Sequence, residues 1–235
     1  MKIKTLAIAA ATLAVGAISS QAQSPVYSQN VVGYVNVTIT NGYSLIANQL
    51  DFDGTGTNNT LYTCLGTNWP NLTKVYSFTP AGGYKIATFA LASHTWTGGA
   101  GVTQANQQLA PGGGVFILVP ASPTFTNVIT MAGQLYPVSA TPSTGFTLSG
   151  TNVTPVVTGF QIVSDAYPVT GGIQTVLGYK PTHLDKVYLY NAGYSIKTFN
   201  TGTTWSGGEP NLQVGQAIYL NSISNTNWTQ ILNLQ

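Results

Sequence analysis

The chain contains very little charge. Only 5% of its 235 residues are Asp, Glu, Lys or Arg, against a usual level of about 25%. Arginine does not occur, and the seven lysines form no cluster. Because phosphate binding depends on clustered cationic side chains, this composition excludes a nucleic-acid-binding protein. It also excludes attachment to a membrane through a polybasic segment.

Cysteine, histidine and carboxylate are equally scarce. Cys64 is the one cysteine, so an intramolecular disulfide and a cysteine-based metal site are excluded. We expect a small buried side chain there, with an intermolecular disulfide or a reactive thiol as the alternatives. His94 and His183 are the only histidines, and two isolated histidines do not make a zinc site. With five acids in the chain, we predict that the protein is not an enzyme.

The first residues have the pattern of a secretory signal peptide. Lys2 and Lys4 precede an apolar stretch at 6–18, and Ser-Gln-Ala at 20–22 is a cleavage site of small residues. We therefore predict a signal peptide at 1–22 and a secreted, extracellular or cell-surface protein without a transmembrane segment. Its removal leaves five lysines against five acids. A net charge near zero favours self-association.

Three short motifs occur twice in the same order. They are K-V-Y at 74–76 and 186–188, G-Y-x-I-x-T-F at 83–89 and 193–199, and T-W-[TS]-G-G at 95–99 and 204–208. This duplication predicts two homologous domains, at 23–136 and 151–235. The segment between them, 137–150, is rich in Pro, Ser and Gly and is predicted to be a linker.

The residue pattern predicts an all-β protein. Residues 31–39 alternate apolar and polar side chains, and Asn41-Gly42 leads to a second strand at 43–47, which indicates an N-terminal hairpin. Helical signals are confined to 59–65 and 173–177. Turn-rich segments recur at the spacing of all-β folds. We therefore predict two tandem homologous domains, each an antiparallel β-sandwich or barrel-like, with little helix.

One loop resembles an acidic calcium site. Asp51 and Asp53 alternate with other residues and are followed by Gly54, and oxygen ligands at such positions can wrap a hard cation. The twelfth position of the loop is Tyr62, where a bidentate acid is expected. Calcium is thus the one cofactor that the sequence suggests, and a plain polar loop is the alternative.

The tryptophans are the candidate ligand-binding residues, because exposed aromatic rings can stack on sugars. Trp96 and Trp205 recur in the two copies, as do Tyr84 and Tyr194, and recurring aromatics are typical of a core. Two more tryptophans, which have no counterpart in the other copy, are the better ligand-facing candidates: Trp69 and Trp228.

The start of the chain carries a family likeness. Y-S-Q-N-V-V-G-Y-V at 27–35 and G-Y-S-L-I-A-N-Q-L at 42–50, together with the repeated motifs, resemble uncharacterised secreted two-repeat β proteins common in Verrucomicrobia-type bacteria. That group has no assigned activity, so the resemblance implies no functional residue. A wider likeness, carried by P-G-G-G-V-F at 111–116, is to surface β-modules of exported bacterial proteins and implies display at the cell surface.

Two functions remain open at the level of the sequence. The first is an exported, non-enzymatic structural or adhesive protein whose partners are its own copies or components of the envelope or extracellular matrix. The alternative is a carbohydrate-binding module that holds glycans on exposed Trp or Tyr. A cluster of exposed rings on one face would favour the second.

Overall fold

The computed structural model describes residues 32–98, 107–137, 139–142, 146–201 and 204–234. Within these ranges the chain forms sixteen strands and one helix of five residues. The predictions of an all-β fold and of little helix are confirmed.

The strands of the first half are β1 (Val32–Thr40), β2 (Gly42–Ala47), β3 (Lys74–Thr79), β4 (Gly83–Ala90), β5 (Thr95–Thr97), β6 (Gly114–Val119) and β7 (Thr126–Gln134). The helix α1 (Leu61–Leu65) lies between β2 and β3. The later strands are β8 (Ser139–Pro142), β9 (Phe146–Val156), β10 (Gly159–Val163), β11 (Gly171–Gly172), β12 (Lys186–Tyr190), β13 (Tyr194–Thr198), β14 (Asn211–Leu212), β15 (Ile218–Ser222) and β16 (Thr226–Leu234).

All strand pairings are antiparallel, and the described strands form five open sheets. The strand orders are β2-β6-β3-β4-β5, β10-β15-β12-β13, β16-β9-β8, β1-β7 and β11-β14. The two larger sheets each have a long ribbon, β1-β7 or β9-β16, packed against one face.

The first core lies between the β1-β7 ribbon and the five-stranded sheet. Val35 and Ile39 of β1 are buried, whereas the neighbouring Tyr34 lies on the opposite face of the strand and is exposed. This alternation is what one covered face requires of a strand. The ribbon residues pack with Phe89 and Trp96 of the sheet in one cluster of buried side chains, which gives the fold its sandwich-like character.

The second core has the same layered form. Val156 of β9 and Trp228 of β16 pack with Val187 of β12 and Leu220 of β15. The Trp228 ring lies 5.4 Å from the ring of Tyr179, so large aromatic surfaces fill the space between ribbon and sheet.

The predicted N-terminal hairpin is wrong. β1 pairs with β7 and β2 pairs with β6, so the Asn41-Gly42 pair passes the chain from one layer to the other. The Asn41 side chain explains this, because its amide donates to the carbonyl oxygens of Pro120 and Pro123 and its oxygen accepts from the Phe125 N–H. These bonds tie the turn to the β6–β7 connection.

Two other segments differ from expectation. The predicted linker, 137–150, contains β8 and the beginning of β9, which pair with one another. The helical signal at 173–177 corresponds to turns. By contrast, the helical signal at 59–65 corresponds to α1, which begins at a Thr60 capping box.

Among the described residues, the structure contains no helix with the length and apolar character needed to cross a membrane.

The two larger sheets meet through their outer faces. One buried cluster is formed by Leu45 of β2, Phe116 of β6, Ile162 of β10 and Ala217, the residue before β15. A Cβ at Gly114 would lie 2.4 Å from the Ala217 Cβ, so the backbones approach as closely as a glycine allows. Backbone hydrogen bonds close this contact, from Ala47 N to Gly215 O at 2.9 Å and from Ser164 N to Gly112 O at 2.8 Å.

Asp165 is buried beside this contact, and its titration is expected to affect stability. Its Oδ1 accepts from the Ser164 hydroxyl at 2.9 Å, while Oδ2 has no hydrogen-bond partner among the described residues. Burial raises the pKa of the Asp165 carboxyl from 3.8 to about 6. The folded state therefore favours the protonated form. The ionised carboxyl destabilises the folded state. This destabilisation is absent below about pH 4 and reaches its full size above about pH 6.

We predict that the free energy of unfolding falls by about 2–3 kcal/mol between pH 4 and pH 6, because each pKa unit corresponds to about 1.4 kcal/mol. Asp165→Asn should remove this decrease and be more stable than the parent at pH 7. Urea unfolding at a series of pH values measures it. Asp53→Asn is the control, since hydrogen bonds from Thr55 lower the pKa of Asp53. Identical curves for the parent and Asp165→Asn would contradict the assignment.

Candidate binding site

The four tryptophans lie in the interior. Each is at most 7% exposed. Each indole N–H donates to a partner inside the protein: Trp69 to Leu65 O at 3.0 Å, Trp96 to Gly66 O at 3.0 Å, Trp205 to Gln174 Oε1 at 3.1 Å and Trp228 to Leu177 O at 2.6 Å. With no ring face open to a ligand, the tryptophans are placed as core residues, and the prediction of sugar-binding tryptophans finds no support in their positions.

The two carboxylates of the Asp51–Asp53 loop accept hydrogen bonds from neighbouring residues of the same loop. Asp51 is buried and accepts from the Asn59 amide at 2.9 Å and from the Gly56 N–H at 2.6 Å. Asp53 is half-buried and accepts from the Thr55 N–H and hydroxyl at 3.0 and 2.7 Å. No group of three His, Cys, Asp or Glu able to hold a metal occurs among the described residues. The carboxylates serve the loop here, and calcium stays a prediction.

The cysteine and the two histidines differ in exposure. Cys64 is buried in α1, and burial raises the pKa of its thiol to about 12, so it is a thiol and not a nucleophile at neutral pH. His94 and His183 lie exposed in separate turns. The sequence expectation of a buried Cys64 is confirmed.

The other acids also have structural roles. Asp185 is buried and accepts from the Tyr179 hydroxyl and the Thr182 N–H, both at 2.7 Å, and from the Ile223 N–H at 2.8 Å. Glu209 accepts from two backbone N–H groups of the turn that follows β11. These carboxylates fix loops by charge-assisted hydrogen bonds.

A cavity of about 490 Å³ opens where the outer faces of the two larger sheets diverge from their contact. It is lined by seven residues, which we call the aromatic cleft: Tyr43, Tyr76, Tyr84, Ile86, Phe116, Tyr190 and Tyr194. Six of them are aromatic and none is charged. Its size is within the usual range for ligand pockets.

Strand alternation puts these side chains on one face. In the β3–β4 pair, Tyr76 lies opposite Ile86, while their neighbours Val75 and Ala87 point into the first core. In the β12–β13 pair, Tyr190 lies opposite Tyr194. Because side chains alternate between the faces of a strand, burying one face of each sheet sends the tyrosines to the other.

The rings of the cleft contact one another edge to face, and three of the tyrosines are more than half exposed. Tyr76 and Tyr84 are perpendicular at 6.5 Å, and Phe116 and Tyr190 are nearly perpendicular at 5.5 Å. Tyr43, Tyr84 and Tyr194 are 51, 54 and 57% exposed. Edge-to-face contacts of this kind stabilise the ring orientations, so the cleft presents ordered and partly exposed tyrosine rings.

Two phenol groups of the cleft have a raised pKa. Burial raises the pKa of Tyr194 and of Tyr76. Tyr219 lies beside the cleft with its hydroxyl oxygen 3.2 Å from that of Tyr84, and burial raises its pKa as well. The hydroxyls of Tyr76, Tyr194 and Tyr219 therefore keep their protons at physiological pH and can donate as well as accept hydrogen bonds.

The sequence did not identify these residues as a site. Tyr84 and Tyr194 were expected in the core because they recur with Trp96 and Trp205, yet the tyrosines are exposed and the tryptophans buried. The available signal was the position of each residue within β4. Tyr84 and Ile86 share one face of this strand, and Ala87 and Phe89 share the other.

Comparison of the chain with protein-family models, with curated proteins and with solved structures found no match.

The tryptophan placement predicts the fluorescence of the protein. With all four indoles buried, the folded protein should emit at short wavelength, and acrylamide should quench it several-fold less than the urea-unfolded chain. Tyr84→Trp should add a red-shifted, readily quenched component, because position 84 is more than half exposed. Strong quenching of the parent protein would place at least one tryptophan at the surface and contradict the structure.

Proposed function

We propose that this protein is an exported, non-enzymatic binding protein that holds neutral carbohydrate in the aromatic cleft. The observation that carries the proposal is the set of exposed tyrosine side chains, Tyr43, Tyr84 and Tyr194, in a cleft without a charged lining residue. The signal-peptide pattern at 1–22 supports export.

The chemistry of the cleft matches that of a sugar. A pyranose has an apolar C–H face, which can lie on a tyrosine ring, and a rim of hydroxyls, which can bond with phenol groups. Burying a charged ligand group in a cleft without a counter-charge is costly, so a phosphorylated or acidic ligand is disfavoured. The near-zero charge of the mature chain provides no long-range attraction for such a ligand either.

The positions of the acids support a non-enzymatic role. Asp51, Asp185 and Glu209 accept hydrogen bonds that fix loops, and no acid lines the cleft. Glycoside hydrolysis generally uses two carboxylates on either side of the scissile bond. A ligand in this cleft would therefore be held without being cut.

The cleft also supports the proposal of two tandem homologous domains. Tyr76, Tyr84 and Phe116 come from β3, β4 and β6, and Tyr190 and Tyr194 come from β12 and β13. The sheets β2-β6-β3-β4-β5 and β10-β15-β12-β13 have their strands in corresponding order. A duplicated unit whose copies face each other accounts for a cleft built from both.

We predict that the mature protein binds neutral glycans on a glycan array, and that Tyr84→Ala and Tyr194→Ala each weaken binding in solution about tenfold or more, because truncating an aromatic contact at the centre of a site costs at least about 1–2 kcal/mol. Isothermal titration calorimetry measures the affinities. The control is Tyr62→Ala on α1, since Tyr62 is 54% exposed like Tyr84 but lies outside the cleft.

Two results would reject this function. The first is the absence of binding to any neutral glycan on a broad array. The second is binding that Tyr62→Ala weakens as much as Tyr84→Ala does, because the ligand would then lie outside the cleft.

A second candidate function is structural self-association, favoured by one surface. The outward face of the β1-β7 ribbon carries Val32, Tyr34 and Val128, which are 70, 72 and 51% exposed. An apolar face on a nearly uncharged protein favours contact between copies.

For this candidate we predict concentration-dependent association of the mature protein in sedimentation velocity. The double variant Tyr34→Ser/Val128→Thr should shift the equilibrium toward monomer at least several-fold, since it removes apolar area from the ribbon and Thr suits a strand. Tyr62→Ser serves as the control. A parent protein that stays monomeric at high concentration would reject self-association and leave the cleft as the site of function.

A further inference from the structure

A polar groove adjoins the aromatic cleft. It has a volume of about 620 Å³ and is lined by residues 37–46, 190–192 and 214–216. Tyr43 and Tyr190 belong to both linings, so these two rings form a shared wall. A ligand that contacts these two rings in the cleft can therefore extend into the groove.

The lining changes character at the shared wall without becoming charged. Beyond Tyr43 and Tyr190 the groove presents hydroxyl and amide groups, among them the exposed side chain of Asn191. No Lys, Asp or Glu lines either the cleft or the groove. The rings of a sugar can stack on the aromatic cleft, and its hydroxyls can form hydrogen bonds with the amide groups of the groove. One neutral, hydroxyl-rich ligand chain therefore suits both the cleft and the groove.

The groove is a poor site for an extended peptide. β2 is an edge strand, and a peptide could add to its free side. That side is already occupied at one end, where Ile46 pairs with Gln216 and Ala47 N donates to Gly215 O at 2.9 Å. Only residues 42–45 remain, which is close to the lower limit of strand length.

We propose that the ligand is a linear, neutral oligosaccharide or polysaccharide, bound over several sugar rings, with its stacked rings in the aromatic cleft and the following rings in the polar groove. This inference rests on the proposed function and specifies the size of its ligand. The cleft alone accommodates a short sugar, and the groove adds contacts that only a longer chain reaches.

Chain length is the variable that tests the proposal. The probes are neutral oligomers of glucose, galactose, mannose and xylose, each in a two-ring and a six-ring form, titrated in solution against the mature protein. For the sugar that binds, the six-ring form should bind at least tenfold more tightly than the two-ring form. Asn191→Ala should weaken the six-ring complex several-fold and leave the two-ring complex unchanged. Asn233→Ala, an exposed asparagine on β16, is the matched control.

A second measurement locates the longer chain. In ¹H–¹⁵N spectra, the amides of Tyr84 and Tyr194 should shift with both forms, whereas those of Asn191, Ala192 and Gly215 should shift only with the six-ring form. Equal affinities for the two forms, or six-ring binding without shifts in the groove, would overturn the extended site and leave the cleft intact. If no oligomer binds, the proposed function itself fails, and binding of an extended peptide instead would show a different ligand class.

Discussion

The close contact between Gly114 and Ala217 is the constraint on which the rest of the structure depends. A Cβ at Gly114 would come within 2.4 Å of the Ala217 Cβ and 2.8 Å of Ile162 Cγ2, so the two larger sheets meet at a point where position 114 has no room for a side chain. Gln49 fixes the same contact: its Oε1 accepts from Gly215 N at 2.7 Å, and its amide donates to Tyr167 O at 3.2 Å. Because the sheets touch at small residues and diverge from there, the larger aromatic side chains further along each strand line a cleft between them.

Scarcity of charge shapes both stability and recognition. Interior polar groups are paired mainly with amides and hydroxyls, and the few carboxylates hold loops, as Asp185 does for the turns beside Tyr179. No charge is left to line the cleft or the groove, so the proposed selection comes from tyrosine rings and hydroxyl groups. We expect binding of that kind to depend only weakly on salt.

The sequence predicted the strands well and their partners poorly. Alternation identified β1, and the repeated G-Y-x-I-x-T-F motif identified β4 and β13, because one buried face imposes a period of two on local sequence. The Asn41-Gly42 pair was misread as a hairpin because its hydrogen bonds go to Pro120, Pro123 and Phe125, which are distant in the chain. The cleft was out of reach for the same reason, since Tyr43, Phe116 and Tyr194 converge only when two sheets pack.

We propose that the ligand lies on the exposed tyrosine rings of the cleft. Saturation-transfer difference NMR tests it directly: the aromatic protons of the mature protein are irradiated and the transfer to a bound neutral oligosaccharide is recorded. Contact with tyrosine rings predicts strong transfer to the C–H protons on one face of the sugar, and loss of that transfer in the double variant Tyr84→Ala/Tyr194→Ala. Transfer that persists unchanged in the double variant would contradict the account.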